Sequence, residues 1–187
     1  MRLTLESALN IEISELRAQD ALTVTDLFTA AFAASEGESE GAVIAKLVSE
    51  LIQSIDSPDV SCYVAVQQDR LIGAVFTTTL RFDQDLHVQM LAPVAVATAF
   101  QGQGVGQQMI RGVIQMLAHQ GVDTLVTYGD PAYYDKVGFA PLDEREVPAP
   151  MPLSMPIGWL GQTLNRTRPP ELTNPICVAP FRDPVYW

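Results

Sequence analysis

The chain has 187 residues, of which 48% are hydrophobic and 18% are charged, so it holds enough apolar material for the core of one globular domain with at most an appendage. This length excludes a TIM barrel. Acidic residues outnumber basic residues 22 to 11, and the formal net charge of -11 argues against a nucleic-acid partner, which needs a basic face, and favours accumulation of cationic small molecules.

Hydrophobic periodicity predicts the elements of the first half of the chain. Alternating apolar residues mark strands, whereas apolar residues three and four positions apart mark amphipathic helices. A glycine-containing acidic stretch separates two such helices. In chain order the predicted elements are a strand over 10–17, a helix over 20–34, an acidic loop over 35–41, a helix over 43–55, and the strands of a hairpin over 60–66 and 71–82.

The second half alternates strands and helices and then changes composition. Its predicted elements are a strand over 87–98, a helix over 101–121, a strand over 124–128, and a short helix over 131–137 that Gly138 closes. Ten of the 13 prolines lie between Pro141 and Pro184, which disfavours ordinary helices and central strands there. We therefore predict a main domain over 1–142 and a largely irregular, proline-rich extension over 143–187 that packs on it through aromatic and aliphatic side chains.

Cysteine and histidine are too sparse for a structural metal site. The two cysteines, Cys62 and Cys177, are far apart in sequence, and His87 and His119 are the only histidines, so we expect no metal. No apolar run approaches eighteen residues, and the N-terminus lacks the pattern of a signal peptide. The sequence predicts a cytoplasmic protein without a membrane partner, whose thiols serve in packing.

The segment that carries chemistry is Gln101-Gly-Gln-Gly-Val-Gly106, which follows an apolar strand and opens an amphipathic helix. Glycines allow a backbone to approach a ligand closely, and the first N–H groups of a helix have no partner within it. A helix start of this kind suits a pyrophosphate. The hexapeptide alone leaves open a glycine-rich turn with no ligand.

The segment over residues 101–106 matches two common nucleotide-binding loops poorly. A dinucleotide-binding G-x-G-x-x-G loop needs its third glycine one residue later than Gly106, and it follows the first strand of its fold rather than about a hundred residues of other elements. A P-loop needs Gly-Lys-Ser/Thr, but the only lysines are Lys46 and Lys136. Nucleotide hydrolysis is therefore disfavoured.

The hexapeptide resembles the Gln/Arg-x-x-Gly-x-Gly/Ala acyl-CoA loop of the GNAT N-acetyltransferases. The preceding segment Leu91-Ala-Pro-Val-Ala-Val-Ala97 resembles the fourth strand of that family. Downstream, Gly129-Asp-Pro-Ala-Tyr-Tyr-Asp-Lys-Val-Gly-Phe139 resembles the family's Tyr-x-x-x-Gly-Phe element, in the form typical of the YhbS-like branch. The three motifs occur in the family's order, and the resemblance extends over about residues 10–142.

The resemblance implies an α/β GNAT fold, a mixed but mostly antiparallel sheet of six or seven strands flanked by helices. It also implies direct transfer of an acetyl group from acetyl-CoA to an amine, with both substrates bound together. Tyr134 corresponds to the family's general acid, which protonates the departing thiolate. The positions that correspond to acetyl-CoA contacts are Val94, Ala95, Val96, Gln101, Gly102, Gln103, Gly104, Val105, Gly106 and Gln107.

The amine must lose a proton before it attacks, but the sequence assigns no general base. The predicted strand over 87–98 contains no glutamate, and His87 at its start reads as a solvated histidine. Glu36, Glu38 and Glu40 could attract a cationic acceptor from a loop. Two alternatives stay open: a degenerate domain that senses acyl-CoA, and transfer to a hydroxyl or of a longer acyl chain. A homodimer, common in this family, is also open.

Overall fold

The computed structural model describes residues 3–4, 10–165 and 171–187. The strands within these residues are β1 (Leu3–Thr4), β2 (Glu12–Glu15), β3 (Val60–Gln67), β4 (Arg70–Leu80), β5 (Val88–Val96), β6 (Thr124–Tyr128), β7 (Ala140–Pro141) and β8 (Trp159–Thr163). The α-helices are α1 (Ala21–Glu36), α2 (Glu38–Gln53), α3 (Val105–His119) and α4 (Pro131–Tyr134). The strand order is β1-β2-β3-β4-β5-β6-β8-β7. β5 pairs with β6 in parallel. Four other pairs are antiparallel, namely β1 with β2, β2 with β3, β6 with β8, and β7 with β8. The predicted mixed α/β fold is confirmed.

The chain divides into two compact units, and both contain parts of β4, β5 and α3. The first unit comprises residues 1–76 and 93–113, and the second comprises 77–92 and 114–187. The chain passes between the units inside regular elements, so neither unit coincides with a continuous stretch of sequence. The predicted boundary at residue 142 stays a prediction.

The first unit packs α1 and α2 closely together. Gly41 permits this approach, because a Cβ at that position would lie 2.8 Å from the Ala33 Cβ. Phe28 of α1 is fully buried and contacts Phe76 of β4 at a ring-centroid distance of 5.7 Å. The apolar stripe predicted for α2 is also confirmed, since Ile44, Leu47, Val48 and Leu51 are buried.

The predicted acidic loop between the first two helices is wrong. Glu36 is the last residue of α1, while Glu38 and Glu40 lie in the first turn of α2. Gly37 alone makes the turn, with a φ of 101° that other residues rarely adopt. Carboxylates in the first turn of a helix are stabilised by the helix dipole, which explains why this acidic stretch is helical.

The second unit builds its sheet with residues from the predicted extension. β8 pairs with β6 along its whole length, from Thr124 opposite Thr163 to Tyr128 opposite Trp159. The extension was predicted to be largely irregular, but the fully buried Trp159 makes β8 a core strand. Farther along the chain, Ile176 forms a two-way backbone bridge with Arg81.

Both cysteines are free and buried, one in each unit. Burial raises the pKa of the Cys62 thiol well above its usual range and also raises the pKa of Cys177. Among the described residues, no helix has the length and apolar character that a membrane span requires.

Trp187 is a structural residue of the second unit, and its removal should destabilise the fold. Its ring is 5% exposed, stacks on Tyr128 at 6.2 Å and contacts Trp159 at 6.1 Å, and its Nε1 donates to the Phe181 carbonyl at 2.8 Å. We expect Trp187→Ala to lower the free energy of unfolding by about 3–5 kcal/mol. Guanidinium denaturation followed by circular dichroism measures this change.

The matched control is Ile157→Ala, because Ile157 is 67% exposed in the same unit. This variant should unfold within about 0.5 kcal/mol of the wild-type protein. Equal destabilisation by the two substitutions would show that the ring contacts of Trp187 contribute nothing specific.

Candidate functional site

The parallel pairing of β5 with β6 covers only part of β5. Its register runs from Val88 opposite Thr124 to Met90 opposite Val126. At the next position the Leu91 carbonyl accepts a hydrogen bond from the Thr127 side chain, with 2.8 Å between Oγ1 and O. Pro93, which has no N–H for a ladder, therefore lies three residues beyond the last of these pairs.

The last residues of β5 alternate in burial. Val94 and Val96 are half-buried, whereas Ala95 between them is 4% exposed. Gly73 on β4 allows close packing at this point, since a Cβ there would lie 3.3 Å from the Ala95 carbonyl and 3.2 Å from the Met109 sulfur. β5 and the first half of α3 can therefore both pack closely against β4 at Gly73, because glycine has no side chain there.

A tight turn at residues 101–104, here called the glycine turn, leads into α3. Gly102 and Gly104 have φ angles of 70° and 84°. These left-handed conformations favour glycine, which explains why the sequence has glycine at both positions. All four residues of the turn are exposed.

Side-chain amides fasten the glycine turn to the chain that precedes it. Gln101 Nε2 donates to the Val96 carbonyl at 3.0 Å, and Gln103 Nε2 donates to the Ala99 carbonyl at 2.9 Å. Together with the backbone bond from the Ala97 amide to the Ile72 carbonyl at 2.9 Å, these contacts give the turn a fixed position at the end of β5.

The helix after the turn begins at Val105, not at residue 101 as predicted. The left-handed conformations of Gly102 and Gly104 are incompatible with an α-helix, so the helix cannot include them. The Gln108 amide donates to the Gly104 carbonyl at 3.0 Å. The amides of Val105, Gly106 and Gln107 come before this bond and have no acceptor within the helix.

The glycine turn has room for a ligand next to its backbone. A Cβ built on Gly102 or Gly104 would meet no atom within 4 Å. Exposed backbone, free space at both glycines and the positive end of a fifteen-residue helix together suit an anionic group such as a diphosphate. The residues present therefore fit the acyl-CoA loop that the sequence predicted.

Tyr134, the predicted general acid, lies in the second unit in an enclosed position here called the tyrosine seat, formed by Thr127, Gly129, Tyr133 and Phe139. The Tyr134 ring contacts Tyr133 and Phe139 edge to face, at centroid distances of 5.2 and 5.5 Å. A Cβ on Gly129 would lie 2.7 Å from Tyr134 Cε2. Gly129 is therefore needed to admit the ring.

A short capped helix carries Tyr134 into the seat. Asp130 caps α4 through a 2.9 Å bond from the Ala132 amide, and Pro131 occupies the first turn, where its missing N–H costs nothing. The helix ends through a 3-10 turn at Gly138, whose φ is 93°. The sequence predicted this helix and its glycine stop correctly.

Burial is the main influence on the acidity of Tyr134. The residue is 9% exposed, and burial raises the pKa of its phenol to about 12, although a hydrogen bond with the Thr127 side chain lowers the pKa and Tyr133 adds a smaller increase. A phenol with this pKa is protonated at neutral pH. It can donate a proton to a basic leaving group.

The remaining predicted residues lie in α3 or next to β5. Gly106 is buried in α3 and Gln107 is half-buried, where its Oε1 accepts from Arg111 at 3.5 Å. His87 is exposed just before β5, as expected for a solvated histidine. Thr127 and Gly129 were not predicted from the sequence, although a threonine inside the apolar segment 124–128 was a usable signal.

Comparison with known proteins now identifies the domain. Residues 58–141 match a family model described as an acetyltransferase (GNAT) domain. The uncharacterized N-acetyltransferase YjhQ of Escherichia coli K12 is 29% identical over 168 residues, which cover 86% of this chain and 88% of YjhQ. The uncharacterized N-acetyltransferase YhbS of the same strain is 38% identical over 56 residues, 30% of this chain and 34% of YhbS.

Solved structures show the same fold. The structure of YhbS from Escherichia coli in complex with CoA matches with a TM-score of 0.73 at 23% identity, over 90% of this chain and 92% of YhbS. A GNAT family acetyltransferase from Brucella melitensis in complex with acetyl-CoA matches with a TM-score of 0.67 at 21% identity, over 92% of this chain and 99% of that one. These likenesses show that the chain has the predicted fold, and it contains an acetyltransferase (GNAT) domain over residues 58–141, as the sequence predicted.

Proposed function

We propose that this protein transfers an acetyl group from acetyl-CoA directly to the amine of an acceptor. The observation that carries the proposal is the glycine turn, whose exposed backbone opens α3 with room beside both glycines. The matched acetyltransferase (GNAT) domain over residues 58–141 supports the proposal, as do the CoA and acetyl-CoA named for the solved YhbS and Brucella proteins.

The amides of Val105, Gly106 and Gln107, with the backbone of the glycine turn, bind the diphosphate of the cosubstrate in this proposal. The backbone of residues 94–96 binds the pantetheine arm, as the family resemblance implies. The side chains of Gln101 and Gln103 contribute indirectly, because their bonds to Val96 and Ala99 hold the turn in place.

The chemistry assigned to the chain itself is one proton transfer. Acetyl-CoA supplies an activated acetyl thioester, and the neutral amine supplies the lone pair. As the carbon–sulfur bond breaks, the Tyr134 O–H bond breaks and its proton passes to the sulfur. The excess of acidic residues favours an acceptor that is cationic in solution and loses a proton before it reacts.

Gly104→Glu should abolish the protection that CoA gives against thermal unfolding, because the new side chain places bulk and negative charge at the proposed diphosphate position. Thermal shift measurements with and without CoA test this. Gly121→Glu is the matched control, since Gly121 has a φ of 82° and equally open surroundings at the other end of α3. If CoA still protects the Gly104 variant as well as it protects the control, the proposed diphosphate site is wrong.

Tyr134→Phe should lower kcat about a hundredfold while the KM for acetyl-CoA changes little, because the substitution removes a proton donor without changing the ring. Steady-state rates of CoA release with a reactive amine measure both constants. Tyr133→Phe is the control and should retain wild-type rates. Equal turnover by the wild-type and Tyr134→Phe proteins would refute the general-acid role.

The raised pKa of Tyr134 predicts an alkaline-tolerant enzyme. The acid works only while protonated, and its pKa of about 12 means that this form is lost only as the pH rises through that value. We expect kcat to show no decline attributable to Tyr134 below about pH 10.5. The expectation would be contradicted if kcat of the wild-type protein declined with a midpoint near the ordinary tyrosine pKa and kcat of Tyr134→Phe showed no such decline.

A further inference from the structure

Arg70 is the first residue of β4, and a two-residue turn fixes its position. β3 ends at Gln67, β4 begins at Arg70, and the two strands are neighbours in the sheet. The turn residues, Gln68 and Asp69, have positive φ angles of 49° and 59°. Two such residues in succession are typical of the tight type I′ turn of a hairpin. The backbone of Arg70 is therefore fixed, while its side chain is exposed.

The start of β4 lies next to the chain that leads into the glycine turn. The Ala97 amide donates to the carbonyl of Ile72, two residues beyond Arg70, at 2.9 Å. A 3-10 turn that ends at Phe100 then leads directly into the glycine turn. The guanidinium carbon of Arg70 lies over the Phe100 ring, 5.2 Å from its centroid. Arg70 therefore places a positive charge beside the residue that precedes the glycine turn.

The Phe100 ring holds this charge without neutralising it. A guanidinium within about 6 Å of an aromatic centroid is attracted by the negative face of the ring. The contact does not use the N–H donors at the edge of the guanidinium plane. Among the described residues, Arg70 forms no ion pair with an acidic side chain, whereas Arg17 in the same unit is paired with Asp20 at 2.7 Å.

A positive charge at this place matters because the chain as a whole is acidic. The formal net charge of -11 repels an anion such as CoA, which carries a diphosphate and a 3′-phosphate. Backbone amides at a helix start supply only partial charges. The described part of the first unit has four basic side chains, at Arg17, Lys46, Arg70 and Arg111. Of these, Arg70 contacts the residue directly before the glycine turn.

We propose that Arg70 is a further binding residue for CoA and that its guanidinium, supported by Phe100, donates hydrogen bonds to a phosphate group beside the glycine turn. The inference rests on the proposed function, in which the glycine turn binds the diphosphate. A guanidinium suits this role, since its planar array of N–H donors matches two phosphate oxygens at once. The fixed strand end and the ring contact reduce the conformational freedom that Arg70 loses when it binds.

Arg70→Gln tests the proposal, because it removes the charge and keeps most of the side-chain length. We expect the Kd for CoA to rise about tenfold in isothermal titration calorimetry, since a charge-assisted contact is lost. Arg17→Gln is the matched control, because it removes the same charge from an exposed arginine of the same unit, and its Kd should stay within about twofold of wild type. Equal Kd values for the two variants would overturn the proposal.

Phe100→Leu tests the support that the ring gives to Arg70. Leucine keeps apolar bulk but has no aromatic face, so the Kd for CoA should rise about threefold. In an Arg70→Gln background the same substitution should cause no further rise, because the guanidinium that the ring holds is already gone. An equal rise in that background would overturn the role assigned to Phe100.

Dephospho-CoA identifies the phosphate group, because it lacks the 3′-phosphate and keeps the diphosphate. If Arg70→Gln weakens the binding of CoA and leaves the Kd for dephospho-CoA unchanged, Arg70 binds the 3′-phosphate. If the substitution raises both Kd values by the same factor, Arg70 binds the diphosphate. Either result supports the proposal, whereas no change with either ligand overturns it.

These binding measurements need no turnover, so they separate the role of Arg70 from the proposed function. Wild-type protein that binds CoA but acetylates no amine would overturn the proposed transfer and leave the role of Arg70 intact. Wild-type affinity in Arg70→Gln would overturn the role of Arg70 and leave the glycine turn as the diphosphate site. Wild-type protein with no measurable affinity for CoA would overturn both.

Discussion

The short parallel ladder between β5 and β6 is the constraint on which the structure around Thr127 depends. Had the pairing of Met90 with Val126 continued as a regular ladder, Pro93 would have placed an unbonded position inside it. Because the ladder stops, the Leu91 carbonyl is available to a side chain, and Thr127 binds it. The end of the ladder therefore explains why the sheet tolerates Pro93 and why the buried hydroxyl of Thr127 has an acceptor.

Local pattern was enough to predict most of the fold. The strand over 124–128 and the hairpin were recovered because their apolar residues alternate or run together between clear turn residues. The acidic loop failed because a single glycine, Gly37, replaces the loop, and because acidic residues are favourable at a helix start. Strand β8 was missed because its partner β6 is distant in sequence, and proline content obscured the core position of Trp159.

The sequence also predicted part of the candidate site. The glycine turn was visible because left-handed backbone demands glycine, and this demand is local. Gly129 has a different reason, since it makes room for a ring five residues later, and such a reason is apparent only in three dimensions. The bond from the Thr127 hydroxyl to the Leu91 carbonyl was likewise invisible, because the two residues are 36 positions apart and only folding brings them together.

The burial of both cysteines determines how the chemistry of this protein can be followed. Cys62 and Cys177 are 2% and 6% exposed, and burial disfavours the thiolate forms that react with disulfide dyes. In the native protein, a colorimetric dye of that type should therefore count the sulfhydryl of liberated coenzyme against a low background. If the protein unfolds, both thiols become accessible, and two further equivalents of dye react.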